Sequence, residues 1–314
     1  MAHQHRHNHD RDQAPAHAHN RSHDHNHDHA DIDFAEMIPH LEGQAELFAP
    51  LYADALAWLR RQQPEPGLIV DAGSGPGIIS GFFAQAFPEA RVVAADSSAA
   101  LLERARENAG RLGTADRFST VEAELPDGLG ELEYPADLVW SSRAVHHVGD
   151  QRAALTALAA VLAPGGTLAV MEGGLPERNL PRDLGFGRPG LEARLDVIEQ
   201  GWFTGMRTSL PGHVRVTEDW QALLTAAGLR PSGTRSFTLD LPAPLTDAAR
   251  AYVIGVFDRR RTMFADELDA EDRATLDRLV DPDDKAGLHH RPDAFVLATY
   301  TVYTGSKPQE QSRG

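Results

Sequence analysis

The chain has 314 residues and no cysteine, which excludes disulfides, thiolate nucleophiles and Cys-ligated zinc together and fits a cytoplasmic setting. It has no apolar run near the ~18 residues of a membrane span, so no membrane association is expected. Its first residues lack the apolar stretch of a secretory signal. Basic charge is also scarce: 30 Lys and Arg stand against 46 Asp and Glu, a formal net charge of −16. So acidic a surface repels phosphate backbones. The one compact basic run, Arg259, Arg260 and Arg261, points in different directions around a helix and reads as a solvated helix end. Nucleic acid is not the expected partner.

What is abundant at the start is histidine. Residues 1 to about 30 hold ten of the sixteen histidines, at positions 3, 5, 7, 9, 17, 19, 23, 25, 27 and 29. With almost no apolar side chain the segment cannot offset its ordering entropy, and a disordered tail is expected. Its imidazoles, interleaved with Asp24 and Asp28, are competent for adventitious binding of Ni²⁺, Cu²⁺ or Zn²⁺. A metal-handling protein built around this tail is therefore a rival reading of the whole chain. No internal repeat is present.

Order is expected from Phe34, with Met37, Ile38, Leu41, Phe48, Leu51, Tyr52, Ala55 and Leu59 at helical spacing and Pro64 and Pro66 as stops. Short apolar strands then alternate with helices, the pattern of an α/β parallel sheet covered on both faces. The strands read are Leu68–Asp71, Arg91–Ala95, Phe118–Val121, Leu138–Ser141 and Thr167–Glu172, with helices near Gly77–Phe87, Ala99–Leu112 and Gln151–Leu162. Ser97 or Ser98 can cap the second of these helices and Asp150 the third. Beyond Glu172 the stretch 173–216 is rich in Gly and Pro, with one short helix carrying Leu191, Leu195 and Ile198. A helix over Trp220–Ala227 with Thr217 as cap, a strand over Ser236–Leu241, helices from Thr246 to Phe264 and Glu271 to Val280, and an alternating strand over Ala294–Thr304 complete the reading. The expected organisation is a tail (1–30), a helical segment (31–66), a domain (67–305) with cap insertions at 173–216 and 242–292, and a disordered end (306–314).

The informative stretch is Val70-Asp71-Ala72-Gly73-Ser74-Gly75-Pro76-Gly77, where a strand ends in an acid and a glycine turn opens a helix. Glycines let a backbone pass close to a ligand. The third glycine comes one residue earlier than in a dinucleotide fingerprint, with Ile at position 78. Asp71 can reach a cationic amine or an ordering water. Asp96 closes the second strand, where a carboxylate can accept both hydroxyls of a ribose, with Ser97 beside it. Glu122 can accept from an adenine amine, the Ala123 N–H can donate to a ring nitrogen, and Glu124 competes with Glu122.

This arrangement resembles the class I S-adenosylmethionine (SAM)-dependent methyltransferases. The resemblance rests on Asp71-x-Gly73-x-Gly75-x-Gly77, Asp96, the acid after the third strand and the fourth strand Asp137-Leu-Val-Trp, and covers about residues 67–172 in motif detail. It implies a Rossmann-like, seven-stranded, mostly parallel sheet in the order 3-2-1-4-5-7-6 with the final strand antiparallel. It also implies S-adenosyl-L-methionine as methyl donor, held by Asp71, Gly73, Ser74, Gly75, Gly77, Asp96, Ser97, Glu122, Ala123 and Ser141.

After the fourth strand comes Trp140-Ser141-Ser142-Arg143-Ala144-Val145-His146-His147-Val148, which would face the transferred methyl. It lacks the Asn/Asp-Pro-Pro-Tyr/Phe signature of many amide and adenine-amino methyltransferases and the carboxylates of the metal-dependent catechol type. Metal-independent transfer to O, N or C of a small molecule is the expectation. His146 and His147 are the candidate catalytic bases, because imidazole titrates near neutral pH. Glu172, Trp202, Phe203 and Met206 are candidates for the acceptor wall. A SAM-binding enzyme with a protein acceptor, or with chemistry other than methyl transfer, is the remaining alternative.

Overall fold

The computed structural model describes residues 34–309. The histidine-rich tail and residues 310–314 lie outside the described residues. Seven strands form one sheet in the order β3-β2-β1-β4-β5-β7-β6. They are β1 (Leu68–Ala72), β2 (Arg91–Asp96), β3 (Phe118–Glu122), β4 (Ala136–Ser142), β5 (Leu162–Arg178), β6 (Arg230–Leu241) and β7 (Val296–Ser306). The first five pair in parallel, and β7 runs antiparallel to both β5 and β6. This is the expected topology.

Strand β1 is buried throughout, as a central parallel strand must be when helices cover both faces. Side chains alternate across the sheet. Ile69, Trp140, Ala169 and Met171 join a core with Phe48, Leu51, Phe83, Val253 and Phe257, whereas Val70, Val139, Leu168 and Val170 join one with Leu155, Leu158, Trp220 and Leu224. Asp137, at the start of β4, accepts the backbone N–H groups of Gly67 (2.7 Å) and Leu68 (3.0 Å), fixing where β1 begins.

The helices are α1 (Phe34–Leu47), α2 (Ala49–Gln62), α3 (Ile78–Ala86), α4 (Ala99–Arg111), α5 (Gln151–Ala160), α6 (Leu191–Ser209), α7 (Trp220–Ala226), α8 (Asp247–Met263) and α9 (Ala270–Val280). Ser98, Asp150 and Thr246 cap α4, α5 and α8 as their sequence positions predict. Asp219, and not Thr217, caps α7, because the cap must accept from the N–H three residues ahead, here Ala222 at 3.0 Å.

Three expectations need correction. Gly173 and Gly174 read as the end of β5, yet the strand continues to Arg178 through bulges opposite β7. Gly174 sits at φ 129° with a Cβ position only 1.9 Å from the Thr299 carbonyl oxygen, so the glycine permits a bulge where a loop was expected. The short helix of the 173–216 stretch is 19 residues long. At the other end, Ser306 closes β7 and Lys307 donates to the carbonyls of Ala160 (3.0 Å) and Leu162 (2.7 Å), so order runs past residue 305.

Helices α6, α8 and α9 are tied together by charge. Arg194 of α6 forms a bidentate pair with buried Asp272 of α9 (2.7 Å on each oxygen), and Arg260 of α8 pairs with Glu199 of α6 at 2.9 Å. Arg260 is buried, not the solvated helix end that its sequence suggests.

Gly77 at the mouth of α3 is packed closely against α4. It has φ 73°, and an added Cβ would stand 2.6 Å from the Ala105 Cβ and 3.0 Å from its Cα. At Gly75 (φ 54°) the same position meets no atom within 4 Å. Gly75→Ala should therefore cost only the left-handed backbone penalty, ~1–2 kcal/mol, and Gly77→Ala clearly more, both read as urea midpoints at constant m-value. Equal losses at the two positions would contradict the packing described.

Candidate functional site

The site lies at the carboxyl ends of β1, β2 and β4, where an open α/β sheet leaves a crevice. The glycine turn is pinned from below: Gly73 and Ser74 donate to the Ala95 carbonyl at 2.8 and 3.0 Å. Gly73 (φ 76°) lies against Ala144, whose Cβ would be 2.4 Å from any Cβ placed there. The Asn108 amide holds the Pro76 carbonyl at 2.8 Å and the Glu42 carboxylate at 2.9 Å, and Glu42 in turn accepts from Arg104. Helix α1 is thereby fastened to α4 beside the turn.

Asp96 uses both carboxylate oxygens on backbone: Oδ2 accepts from Gly75 N–H (2.9 Å) and Oδ1 from Ser98 N–H (3.0 Å). A carboxylate has about four acceptor positions, so each oxygen retains one. Ser97 is exposed in the turn beside it. Glu122 stands opposite Asp96 in the β2–β3 register and is exposed. Asp71 is buried beneath the turn, accepts from the Ser80 hydroxyl at 2.6 Å, and is pushed up to about 7, first by burial and then by the Asp96 charge.

Two expected contacts do not stand. The Ala123 N–H already donates to the Asp96 carbonyl at 3.0 Å, so it is not free for an adenine nitrogen. Ser141 has no exposed surface, and its hydroxyl donates to the Ala72 carbonyl at 2.9 Å. It holds the β1 end in place from within.

Beyond β4 a 3-10 turn carries Val145, His146 and His147. Buried Glu172 of β5 organises it, accepting the Val145 N–H at 2.9 Å through Oε1 and meeting His146 Nδ1 at 2.7 Å through Oε2. A proton on Nδ1 directed at that carboxylate would leave Nε2 of the neutral ring as acceptor. The His147 ring lies 4.1 Å from that of His146. From α6, Phe203 packs 5.6 Å from the His146 ring, while Arg207 donates to the His146 (2.6 Å) and Val148 (2.7 Å) carbonyls. Met206 is buried, and Trp202 packs on Phe264.

One hollow of about 280 Å³ joins these parts. Its wall includes Gly73, Ser74, Gly75 and Pro76 of the turn, His146 and His147, and Met37, Leu41 and Ala45 of α1. It also includes Arg143, Arg259, His40 and Tyr52, which sequence reasoning did not place there. Open space above Gly75 and the spare acceptor positions of Asp96 fit a nucleoside ligand bearing an amino-acid arm, with the arm over the turn and the ribose at Asp96. Among the described residues no group of three or more His, Asp or Glu is placed to hold a metal ion, and no helix is long and apolar enough to cross a membrane.

Asp71 gives a direct test. Between the ordinary carboxylate pKa and about 7 the unfolded chain ionises while the native chain keeps its proton. Stability should therefore fall as pH rises through that window. Urea unfolding at pH 4 and pH 8 should show the wild type losing ~1–3 kcal/mol relative to Asp71→Asn. Parallel behaviour of the two proteins would mean that Asp71 is ionised in the native state.

Residues 69–166 match the protein family described as "Methyltransferase domain". The chain is similar to the trans-aconitate 2-methyltransferase of Streptomyces coelicolor (29% identity over 62% of this chain and 60% of that one) and to that of Variovorax paradoxus (36% over 34% and 39%). It is also similar to the tRNA 5-carboxymethoxyuridine methyltransferase of Escherichia coli (31% over 39% and 46%). The matches cover 29% to 60% of the lengths of these and the other first curated relatives. Among solved structures, a chain from the complex of the Haloferax volcanii Trm112 methyltransferase activator shares the fold, with TM-score 0.50, 18% identity, and coverage of 88% of this chain and 98% of that one.

Proposed function

We propose that this chain, whose residues 69–166 form a domain of the class I SAM-dependent methyltransferase family, transfers a methyl group from S-adenosylmethionine to a small-molecule acceptor without a metal. One observation carries the reading: the glycine turn and His146, the ring that Glu172 holds, border the same hollow. A cofactor cradle and a base thus open onto a single chamber.

The donor, when bound, supplies an already activated methyl on a sulfonium. Gly73, Ser74 and Gly75 would hold its amino-acid arm and Asp96 its ribose, with Asp71 beneath the turn and Glu122 at the adenine end. What remains for the protein is alignment, which contributes up to ~7–11 kcal/mol when a nucleophile is held in line. Helix α1 bounds the chamber and limits water, and α6 backs the His146 ring through Phe203. Glu172 orients His146 so that Nε2 can take a proton from an acceptor hydroxyl as that oxygen attacks, a contribution of roughly 10²–10⁴-fold. Trp202 is turned to Phe264, so Phe203 is the α6 aromatic next to the base.

A nucleic-acid acceptor is the second reading, favoured by the relative named for tRNA and opposed by the net charge of −16. Labelled SAM offered with tRNA and with a metabolite extract separates the two, and label in the tRNA fraction alone would replace the first reading by the second.

Two variants test the machinery. Asp96→Ala removes a charge-assisted contact of ~1.5–3 kcal/mol and should weaken SAM by roughly 10- to 100-fold in calorimetry, whereas unchanged affinity in a folded variant rejects the ribose assignment. His146→Ala should lower kcat by roughly 10²-fold with SAM affinity within a few-fold. Full activity in that variant would leave alignment alone as the source of rate.

A further inference from the structure

Two guanidinium groups in the chamber have no anionic partner. Arg143 and Arg259 both line the hollow, and among the described residues neither makes an ion pair within 4 Å. The neighbouring acids bond elsewhere: Glu172 with His146 and Val145, Glu199 with Arg260 at 2.9 Å, and Glu177 through one oxygen with the Tyr252 hydroxyl at 2.9 Å. The lining of the hollow contains no Asp or Glu at all, in a chain with sixteen more acids than Lys and Arg. Arg143 is held by neutral groups, its guanidinium 5.5 Å over the Tyr300 ring and 3.4 Å from that hydroxyl. Arg259 donates to the His40 ring, whose pKa burial and the two arginines hold below the ordinary value, so this neighbour is neutral. Both arginines are exposed at the hollow, and two guanidiniums side by side in a concavity without an acid in its lining attract an anion.

Resting on the methyl-transfer reading, we propose that Arg143 and Arg259 form the binding site for a carboxylate on the acceptor, so that the substrate is a carboxylic acid. The sheet order favours the acceptor over the amino-acid arm of the cofactor as the source of that carboxylate. The cofactor groups Gly73–Gly75, Asp96 and Glu122 stand on β1, β2 and β3, whereas Arg143 follows β4 and reaches the other way, across β5 to Tyr300 of β7. Arg259 comes from α8, in the stretch between β6 and β7. The apolar side chains of Met37, Leu41, Ala45 and Ile79 in the same wall suit the hydrocarbon part of such an acid.

The test is equilibrium dialysis of benzoate against benzamide, hexanoate against hexanamide and succinate against succinamide. Each is run with the full chain, with and without S-adenosylhomocysteine. At least one acid should bind tenfold or more above its amide, and Arg259→Gln and Arg143→Gln should each abolish that preference. S-adenosylhomocysteine affinity, measured by calorimetry on the same proteins, should stay within about threefold. No preference for any acid in the wild type overturns the proposal. So does a tenfold loss of S-adenosylhomocysteine affinity in the arginine variants with acid preference intact, which would give the guanidiniums to the cofactor. Absence of S-adenosylhomocysteine binding by the wild type refutes methyl transfer instead, and the cofactor-free arm still judges the carboxylate site.

Discussion

The buried Glu172 carboxylate is the fixed point of the site. It sits on β5, accepts a backbone N–H from the turn after β4 with one oxygen, and meets His146 with the other. A buried carboxylate must be satisfied by hydrogen bonds, and here satisfying it sets the path of a loop that carries both His146 and Arg143. If it were lost, Val145 N–H would lack its partner, His146 could rotate, and the α6 arginine that grips the His146 and Val148 carbonyls would hold a turn with no internal support. The turn that lines the chamber and the proposed base depend on one side chain.

The same logic of double use governs the cofactor half. Asp96 fastens the glycine turn to the start of α4 while each of its oxygens keeps a spare acceptor position. Ser141, by contrast, spends its hydroxyl entirely inside the sheet. Groups whose hydrogen-bonding capacity exceeds what the fold requires are the ones left for a ligand, and this criterion separates Asp96 from Ser141 and Ala123 although all three lie near strand tips.

Much of the fold was legible because its signals are local. Alternation of short apolar strands with capped helices marks β1 to β5, and Asp71 with the following glycines marks the turn. The His146–Glu172 contact was within reach too, since β4 and β5 pair in parallel with Ser142 opposite Met171, bringing the segments after each together. What could not be read was set by geometry without a local pattern. The Ala123 N–H looks like any other until its acceptor is known. Arg143, Tyr300 and Arg259 come from three distant elements and meet only through the antiparallel return of β7 and the packing of α8. Gly173 and Gly174 misled because a bulge and a loop call for the same residue.

Arg143 carries one more consequence. Among the described residues it is the single non-glycine with positive φ, at 54°, a conformation that costs an ordinary side chain ~1–2 kcal/mol and glycine nothing. The backbone at this point has no need of an arginine and would relax with a glycine. The polypeptide therefore stores a small, local instability at the chamber wall for the sake of a guanidinium. Removing the side chain altogether should make the protein harder to unfold even as it empties the wall of its charge, an opposition between durability and recognition confined to a single residue.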